Sequence, residues 1–214
     1  MSVIIFANGE LALPPDWQAL LENAERLIAA DGGARHLLAL GLQPDVVVGD
    51  MDSLSAQERE ELAKMGAKLR TFPAEKNQTD LELALVEAQE AGATQVTVLA
   101  ALGRRWDHSL ANILLATQTQ FAEMAIEFLH GEQRLFLIRD EASITAEPGT
   151  RLSLIPLGGD AIGVQTTGVT YPLDAEDLPF GSSRGVSNQF ETDRVEVKLR
   201  EGMLLCILSP AELN

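Results

Sequence analysis

Through about residue 130, short runs rich in Val, Ile and Leu alternate with segments whose apolar residues recur at i, i+3 and i+4. Few folds accommodate that alternation. Parallel strands cannot be joined by tight hairpins and need crossovers long enough to hold a helix, so the pattern reads as successive βαβ units. Strands are expected near residues 3–8, 26–31, 45–50, 68–73, 95–101 and 125–130, with helices over Trp17 to Ala24, Ala34 to Leu40, Ala56 to Met65, Leu81 to Ala91 and Leu110 to Gln120. Gly41, Gly66 and Gly92 stand where helices are commonly closed by a glycine. From residue 131 the helical period stops, and alternating runs such as RLSLIPL, RVEVKL and MLLCIL follow, separated by Pro, Gly and Asp turns. The expected fold class is therefore α/β. An N-terminal, mostly parallel, Rossmann-like α/β sheet domain over 1–130 is followed by a small all-β sandwich domain over 131–214, which is expected to pack on the first domain or on a symmetry mate.

The 46% hydrophobic content of the 214 residues is ample for packed cores, which excludes a disordered chain. A formal net charge of -16 opposes nucleic acid and anionic lipid, so neither a nucleic acid nor a membrane is expected as a partner. The same charge suits divalent cations or a cationic substrate, and equally suits solubility alone. The single cysteine, Cys206, lies in an apolar run and reads as a packing residue. Met1 leads straight into an apolar strand without a basic flank, and no apolar stretch is long enough to span a membrane, which gives a cytoplasmic expectation.

Three charged clusters follow expected strands, where open α/β sheets bind ligands. In GDMDS, Asp50 and Asp52 lie two residues apart, close enough to engage one hard cation such as magnesium, although a helix-capping turn would use the same residues. In EKNQTD, Thr79 suits an N-cap with Glu82 completing a capping box, and Asp80 falls in the first helical turn, favoured there by the helix dipole as well as available to a metal. GRRWDHSLAN sets arginines beside a helix start that suits an anion, with His108 either a general base or structural. The glycines of DGGARHL would let backbone amides approach a phosphate, and a tight turn requires them equally. The chain has no GxxxxGK, no GxGxxG and no Cys/His set at zinc spacing.

Taken in order, ADGGARHLLALGLQPDVVVGDMDS, EKNQTDLELAL, ALGRRWDHSLAN, TGVTYPL and SSRGVSNQF resemble the bacterial thiamine diphosphokinase (thiamin pyrophosphokinase) family over nearly the whole chain. The resemblance implies transfer of diphosphate from ATP to the hydroxyethyl group of thiamine, giving thiamine diphosphate and AMP. It further implies ATP and Mg2+ on the α/β domain, thiamine bound with help from the β domain, and a homodimer with the thiamine pocket at its interface. By motif, Asp50, Asp52 and Asp80 would be the metal carboxylates, with Asp31 a further acidic member of the site. Lys76, Arg105, Asp107 and His108 would line the nucleotide and phosphate region, with Arg105 catalytic alongside the metal carboxylates. Tyr171, Ser187 and Asn188 would contact thiamine. The chain departs from the motifs at Asn77, which replaces a carboxylate, and at Ala100 and Arg104, which replace glycines. A pyrophosphokinase for another alcohol, such as a pterin, and a non-enzymatic sensor of thiamine diphosphate or a nucleotide are the competing readings.

Overall fold

In a computed structural model, which describes residues 1–212, the chain divides into two compact units, residues 1–131 and Glu132 onward. The first holds β1 (Ser2–Phe6), β2 (Arg26–Ala30), β3 (Val46–Gly49), β4 (Lys68–Thr71), β5 (Gln95–Leu99) and β6 (Ala125–His130). These strands pair in parallel in the order β6-β5-β1-β2-β3-β4. The direction of winding therefore reverses between β1 and β5. Residues Val3–Phe6 of β1, Val46–Gly49 of β3 and Val96–Leu99 of β5 are all buried, which explains why these strands read as continuous apolar runs rather than alternating ones. By contrast, β4 carries Lys68 and Arg70 at the edge of the unit, where charge discourages further strand pairing.

Each crossover contains a helix: α1 (Trp17–Glu22), α2 (Ala34–Ala39), α3 (Ala56–Lys64), α4 (Asp80–Glu90) and α5 (Trp106–Leu115). Gly41, Gly66 and Gly92 follow α2, α3 and α4 with positive φ, the left-handed conformation that ends a helix without a Cβ clash. Ser55 and Glu58 form a reciprocal capping box on α3. The expected box on α4 is only half made. Thr79 Oγ1 accepts from Glu82 N at 3.2 Å, but the Glu82 carboxylate accepts from Gln118 Nε2 at 3.3 Å. Buried Leu81, Leu83, Ala84, Leu85 and Ala88 seat α4 against β2 and β3. Buried Glu87 adds ion pairs to Arg70 of β4 and, at 4.0 Å, to Arg26 of β2.

Helix α5 begins four residues before the expected Leu110. The apolar spacing that suggested a helix there marks its outer face, since Trp106, Leu110 and Leu114 are exposed. Its inner face is Ser109, Asn112 and Leu115. Both buried polar groups are satisfied, with Asn112 Nδ2 donating to Ala101 O at 2.7 Å and Ser109 Oγ to Arg105 O at 3.0 Å. A buried Asn with its hydrogen bonds made carries no hydrophobic signature, so periodicity alone misplaced the helix.

The second unit comprises β7 (Gln133–Ile138), β8 (Glu141–Thr145), β9 (Arg151–Pro156), β10 (Ala161–Thr167), β11 (Glu176–Leu178), β12 (Asn188–Gln189), β13 (Arg194–Lys198) and β14 (Leu204–Ser209). Its strands are antiparallel in two sets, β12-β9-β14-β7 and β11-β10-β13-β8. Both sets contribute to one core, in which Ile138, Leu152, Leu154 and Cys206 meet Ile144, Val164, Val195 and Val197. Burial pushes the Cys206 thiol up to about 12, which leaves it a packing residue. The two strands absent from the sequence reading, β11 and β12, are three and two residues long, too short to show alternation.

Arg35 of α2 donates from Nε to Glu58 Oε1 at 2.9 Å. That bond, together with Ser55, holds the Glu58 carboxyl down at about 2, against an ordinary 4.5. A lowered folded pKa adds stability above the unfolded value, and the gain fades as pH falls through the folded one. The Tm difference between wild type and Glu58→Gln should therefore be constant from pH 8 to about 5 and shrink steadily toward pH 2. A difference independent of pH would show that the pair contributes nothing through ionisation.

Candidate active site

The loops after β1, β2, β3 and β5, with the N-terminus of α4, surround an open cleft of about 650 Å³. It lies at the carboxyl ends of the strands, around the point where the winding reverses, which is where α/β sheets bind ligands. Close backbone approach shapes it. A Cβ on Gly33 would lie 2.0 Å from Phe6 O, so this glycine lets the loop after β2 pack against the end of β1. Gly49 similarly admits Asp31, whose Cβ would be 2.8 Å from an added methyl, and Asp80, whose Oδ1 would be 3.1 Å from it.

Asp31, Asp50 and Asp52 each bring a carboxylate oxygen within 4.8 Å of the others. Asp31 opens a 3-10 turn with φ of 45° and is buried. Between the other two, Met51 has φ of 64° and a buried side chain. The resulting bend lets Asp52 N donate to Asp50 Oδ1 at 3.1 Å. That bond, with Lys76 nearby, holds the Asp50 carboxyl below its usual range, against a smaller effect of burial.

Asp80 lies beside this trio rather than within it. Lys76 Nζ stands 2.8 Å from Asp80 Oδ1 and 3.7 Å from Asp50 Oδ2. Burial raises the Asp80 pKa, Lys76 opposes the rise, and the charges of Asp31 and Asp50 add to it. Burial also works against the Lys76 charge, but Asp80, Asp50 and Asp31 outweigh it and leave that pKa raised. Lys76 is thus the counter-ion of the carboxylates, and Asn77 beside it is exposed.

Arg104, Arg105 and His108 line the same cleft as the carboxylates. Arg105 is bound by Asp107, with Nε 3.2 Å from Oδ1 and Nη2 2.5 Å from Oδ2, which holds the Asp107 carboxyl at about 2. Asp107 does not appear among the residues lining the cleft. Asn8, Gly9, Ser53 and Asn112 also line it and were not singled out from the sequence. Asn8 and Gly9 follow the first strand directly, the same position that drew attention to the other loops.

In the second unit, Tyr171, Ser187 and Asn188 line a notch of about 130 Å³ together with Leu154, Leu173 and Arg184. The Asn188 amide is committed to backbone. Its Nδ2 donates to Tyr171 O at 2.7 Å, while Oδ1 accepts from Tyr171 N at 3.0 Å and Gln189 N at 2.9 Å. Asn188 therefore clamps the Tyr171 segment, and Tyr171 as a residue is left 63% exposed. Ser187 has φ of 62° and donates its N–H to Ser153 Oγ at 3.1 Å.

Carboxylates and guanidinium groups that share a cleft at the ends of parallel strands define an α/β protein with its ligand site where the winding reverses. Residues 17–128 match the family model for "Thiamin pyrophosphokinase, catalytic domain" and residues 140–204 that for "Thiamin pyrophosphokinase, vitamin B1 binding domain". The chain is 30% identical to thiamine pyrophosphokinase of Bacillus subtilis, over 97% of this chain and 98% of the relative. The solved structure of the B. subtilis protein superposes with a TM-score of 0.89 at 29% identity, covering 99% of this chain and 100% of that one. A thiamin pyrophosphokinase family protein from Enterococcus faecalis superposes with a TM-score of 0.87 at 25% identity, over 99% and 100% of the two chains. The chain belongs to the thiamin pyrophosphokinase family and is an enzyme. No helix among the described residues is long and apolar enough to cross a membrane.

Asp31 Oδ1 is buried with no hydrogen-bond partner among the described residues, and two further carboxylates lie against it. Converting this group to an amide removes like-charge repulsion without changing its shape. In the presence of a chelator, Asp31→Asn should raise the Tm by about 2–4 °C, the shift that roughly 1 kcal/mol produces in a chain of this size. An unchanged or lowered Tm would mean that the carboxylate stabilises the metal-free fold.

Proposed function

We propose that this chain transfers an intact diphosphate from ATP to the hydroxyl of thiamine, releasing AMP and thiamine diphosphate. The observation that carries the reading is the buried, unpartnered Asp31 Oδ1 beside Asp50 and Asp52, in a cleft that also presents arginines. An oxygen-only donor set of this kind fits Mg2+, which prefers one or two carboxylates supplemented by phosphate oxygens and water. Asp31, Asp50 and Asp52 would hold the ion, with Asp80 in reserve beside them. When bound, the ion supplies neutralisation of phosphate charge. The remaining work is positioning, as is general for phosphoryl-type transfer. Lys76 keeps Asp50 and Asp80 oriented, and Arg105 and His108 face the phosphates. The thiamine hydroxyl attacks the β-phosphorus in line as the bond between the α and β phosphates breaks.

The first unit is the catalytic, nucleotide-binding domain, with a Rossmann-like arrangement supported by its parallel strand order. The second is the thiamine-binding domain, a sandwich by virtue of the core that its two strand sets share. Tyr171 offers an exposed aromatic face to a thiamine ring, and Ser187 and Asn188 hold the segment around it. A homodimer is supported by the stripe of Trp106, Leu110 and Leu114, 86%, 59% and 41% exposed along α5. A cytoplasmic setting supplies the ATP.

Thiamine-dependent release of AMP from ATP and magnesium, with thiamine diphosphate detected by mass, tests the reaction. AMP formed independently of thiamine would overturn it. Asp52 is an exposed loop carboxylate, so Asp52→Ala should lower turnover by at least about 100-fold with little change in Tm. Near-normal turnover in that variant would remove Asp52 from the metal site. Because Asn188 acts on Tyr171, Asn188→Ala should raise the thiamine KM on the order of tenfold, equivalent to roughly 1.4 kcal/mol, while the ATP KM stays within about twofold. Equal rises in both would argue against a separate thiamine pocket.

A further inference from the structure

We propose that Arg104 is a phosphate-binding residue of the cleft, the cation that holds the polyphosphate of the nucleotide. The proposal rests on the nucleotide-dependent reading above. Three observations lead to it.

The first concerns charge. Asp31, Asp50, Asp52 and Asp80 all line the cleft, and the arginines that line it with them are Arg104 and Arg105. Lys76 is engaged by Asp80 and Asp50, and Arg105 by Asp107. Burial lowers the His36 pKa, its bond to Gly9 O opposes that, and the charge of Arg104 lowers it further, which works against a positive charge on His36. Arg104 has neither an ion pair nor a side-chain hydrogen bond among the described residues. Of the two arginines that line the cleft, it is the one that no carboxylate among the described residues holds in an ion pair.

The second concerns conformation. Arg104 has φ of 55°, a left-handed backbone that is costly for a residue with a Cβ and free for glycine. Arginine has no short polar side chain to bond its own backbone and ease that cost, as Asn or Asp has. An unfavourable conformation kept by a long cationic residue at the mouth of a cleft points to what the side chain does there.

The third concerns rigidity. The Arg104 loop is fixed on both sides. Before it, Ala100 O accepts from Gly9 N at 2.7 Å, and Ala101 O accepts from Asn112 Nδ2 at 2.7 Å. After it, Arg105 N donates to Gly103 O at 2.7 Å and Ser109 N to Arg105 O at 2.9 Å. A guanidinium carried on such a loop needs little ordering to meet an anion, and its planar fork can bind two phosphate oxygens.

The test compares Arg104→Ala, Arg104→Lys and Arg104→Gly with wild type, by calorimetric binding of ATP, AMP and inorganic tripolyphosphate, together with the KM for thiamine. Binding of tripolyphosphate needs no turnover, so the result stands whether or not the proposed reaction is correct. That reaction is judged separately by thiamine-dependent AMP release in wild type. Arg104→Ala should weaken ATP and tripolyphosphate at least tenfold and AMP much less, with the thiamine KM unchanged, and Arg104→Lys should recover part of the loss. Arg104→Gly should bind as weakly as the alanine variant yet melt about 2 °C higher than it, since only glycine is at ease at this φ. ATP and tripolyphosphate binding within twofold of wild type in Arg104→Ala would overturn the assignment. So would parallel losses of nucleotide and thiamine with a lowered Tm, which would mark Arg104 as a support of the loop.

Discussion

Like charge held at close range is the constraint to which the rest of the first unit answers. Three carboxylate oxygens within 4.8 Å of one another repel. A pair of unit charges about 4 Å apart interacts by about 1 kcal/mol in water and about 4 kcal/mol near a protein surface. Nothing in the carboxylates themselves favours such a cluster, so the backbone must impose it. Gly33 fits the turn carrying Asp31 under the Phe6 carbonyl, and Gly49 removes the side chain that would keep Asp31 and Asp80 apart. The buried side chain of Met51 pins the bend that brings Asp50 and Asp52 together.

Those local devices depend on elements that are themselves firmly seated. Helix α4 carries Asp80 on its first turn, and its position follows from five buried apolar residues and from Glu87, which is tied to strands on either side of β3. Glu87 is buried while Arg26 and Arg70 are partly exposed, so displacing the helix that bears Asp80 would leave a buried carboxylate without its counter-ions. Lys76, four residues before Asp80, then moderates the repulsion through its contacts with Asp80 and Asp50. Burial raises the Asp80 pKa in spite of Lys76, whereas the bond from Asp52 N, with help from Lys76, lowers that of Asp50. Neighbouring carboxylates thus differ in their readiness to carry charge, which suits a site where one cation is shared unequally.

Much of this was legible in the chain, because parallel strands buried on both faces leave unmistakable apolar runs and the charged motifs stand immediately after them. What escaped has physical causes. The buried face of α5 is built from Ser109 and Asn112, whose hydrogen bonds leave no trace in hydropathy, so the helix was placed by its exposed leucines. Strands β11 and β12 are too short to alternate. The assembly of Asp31 with Asp50 and Asp52 depends on pairing between β2 and β3, a tertiary fact that spacing along the chain does not encode. Asn188 illustrates the opposite case: the sequence marks the residue, but only the geometry reveals that its amide serves the Tyr171 backbone.

Backbone strain gives an independent view of where this molecule is specialised. Among the described residues six non-glycines have positive φ, and four of them, Asp31, Met51, Ala100 and Arg104, belong to the loops that form the cleft, while Ser187 lines the notch of the second unit. A left-handed residue with a Cβ costs roughly 1–2 kcal/mol, a large sum when gathered into loops a few residues long. Conformations of that kind persist only where the surroundings over-determine them, and they collect at sites that must hold groups in a fixed place. Their distribution separates functional loops from mere connections without reference to charge. The loops closing α2, α3 and α4 meet the same demand with Gly41, Gly66 and Gly92, at no such cost. At Asp31 and Arg104 the chain keeps a charged side chain where glycine would be easier, and both of those side chains face the cleft.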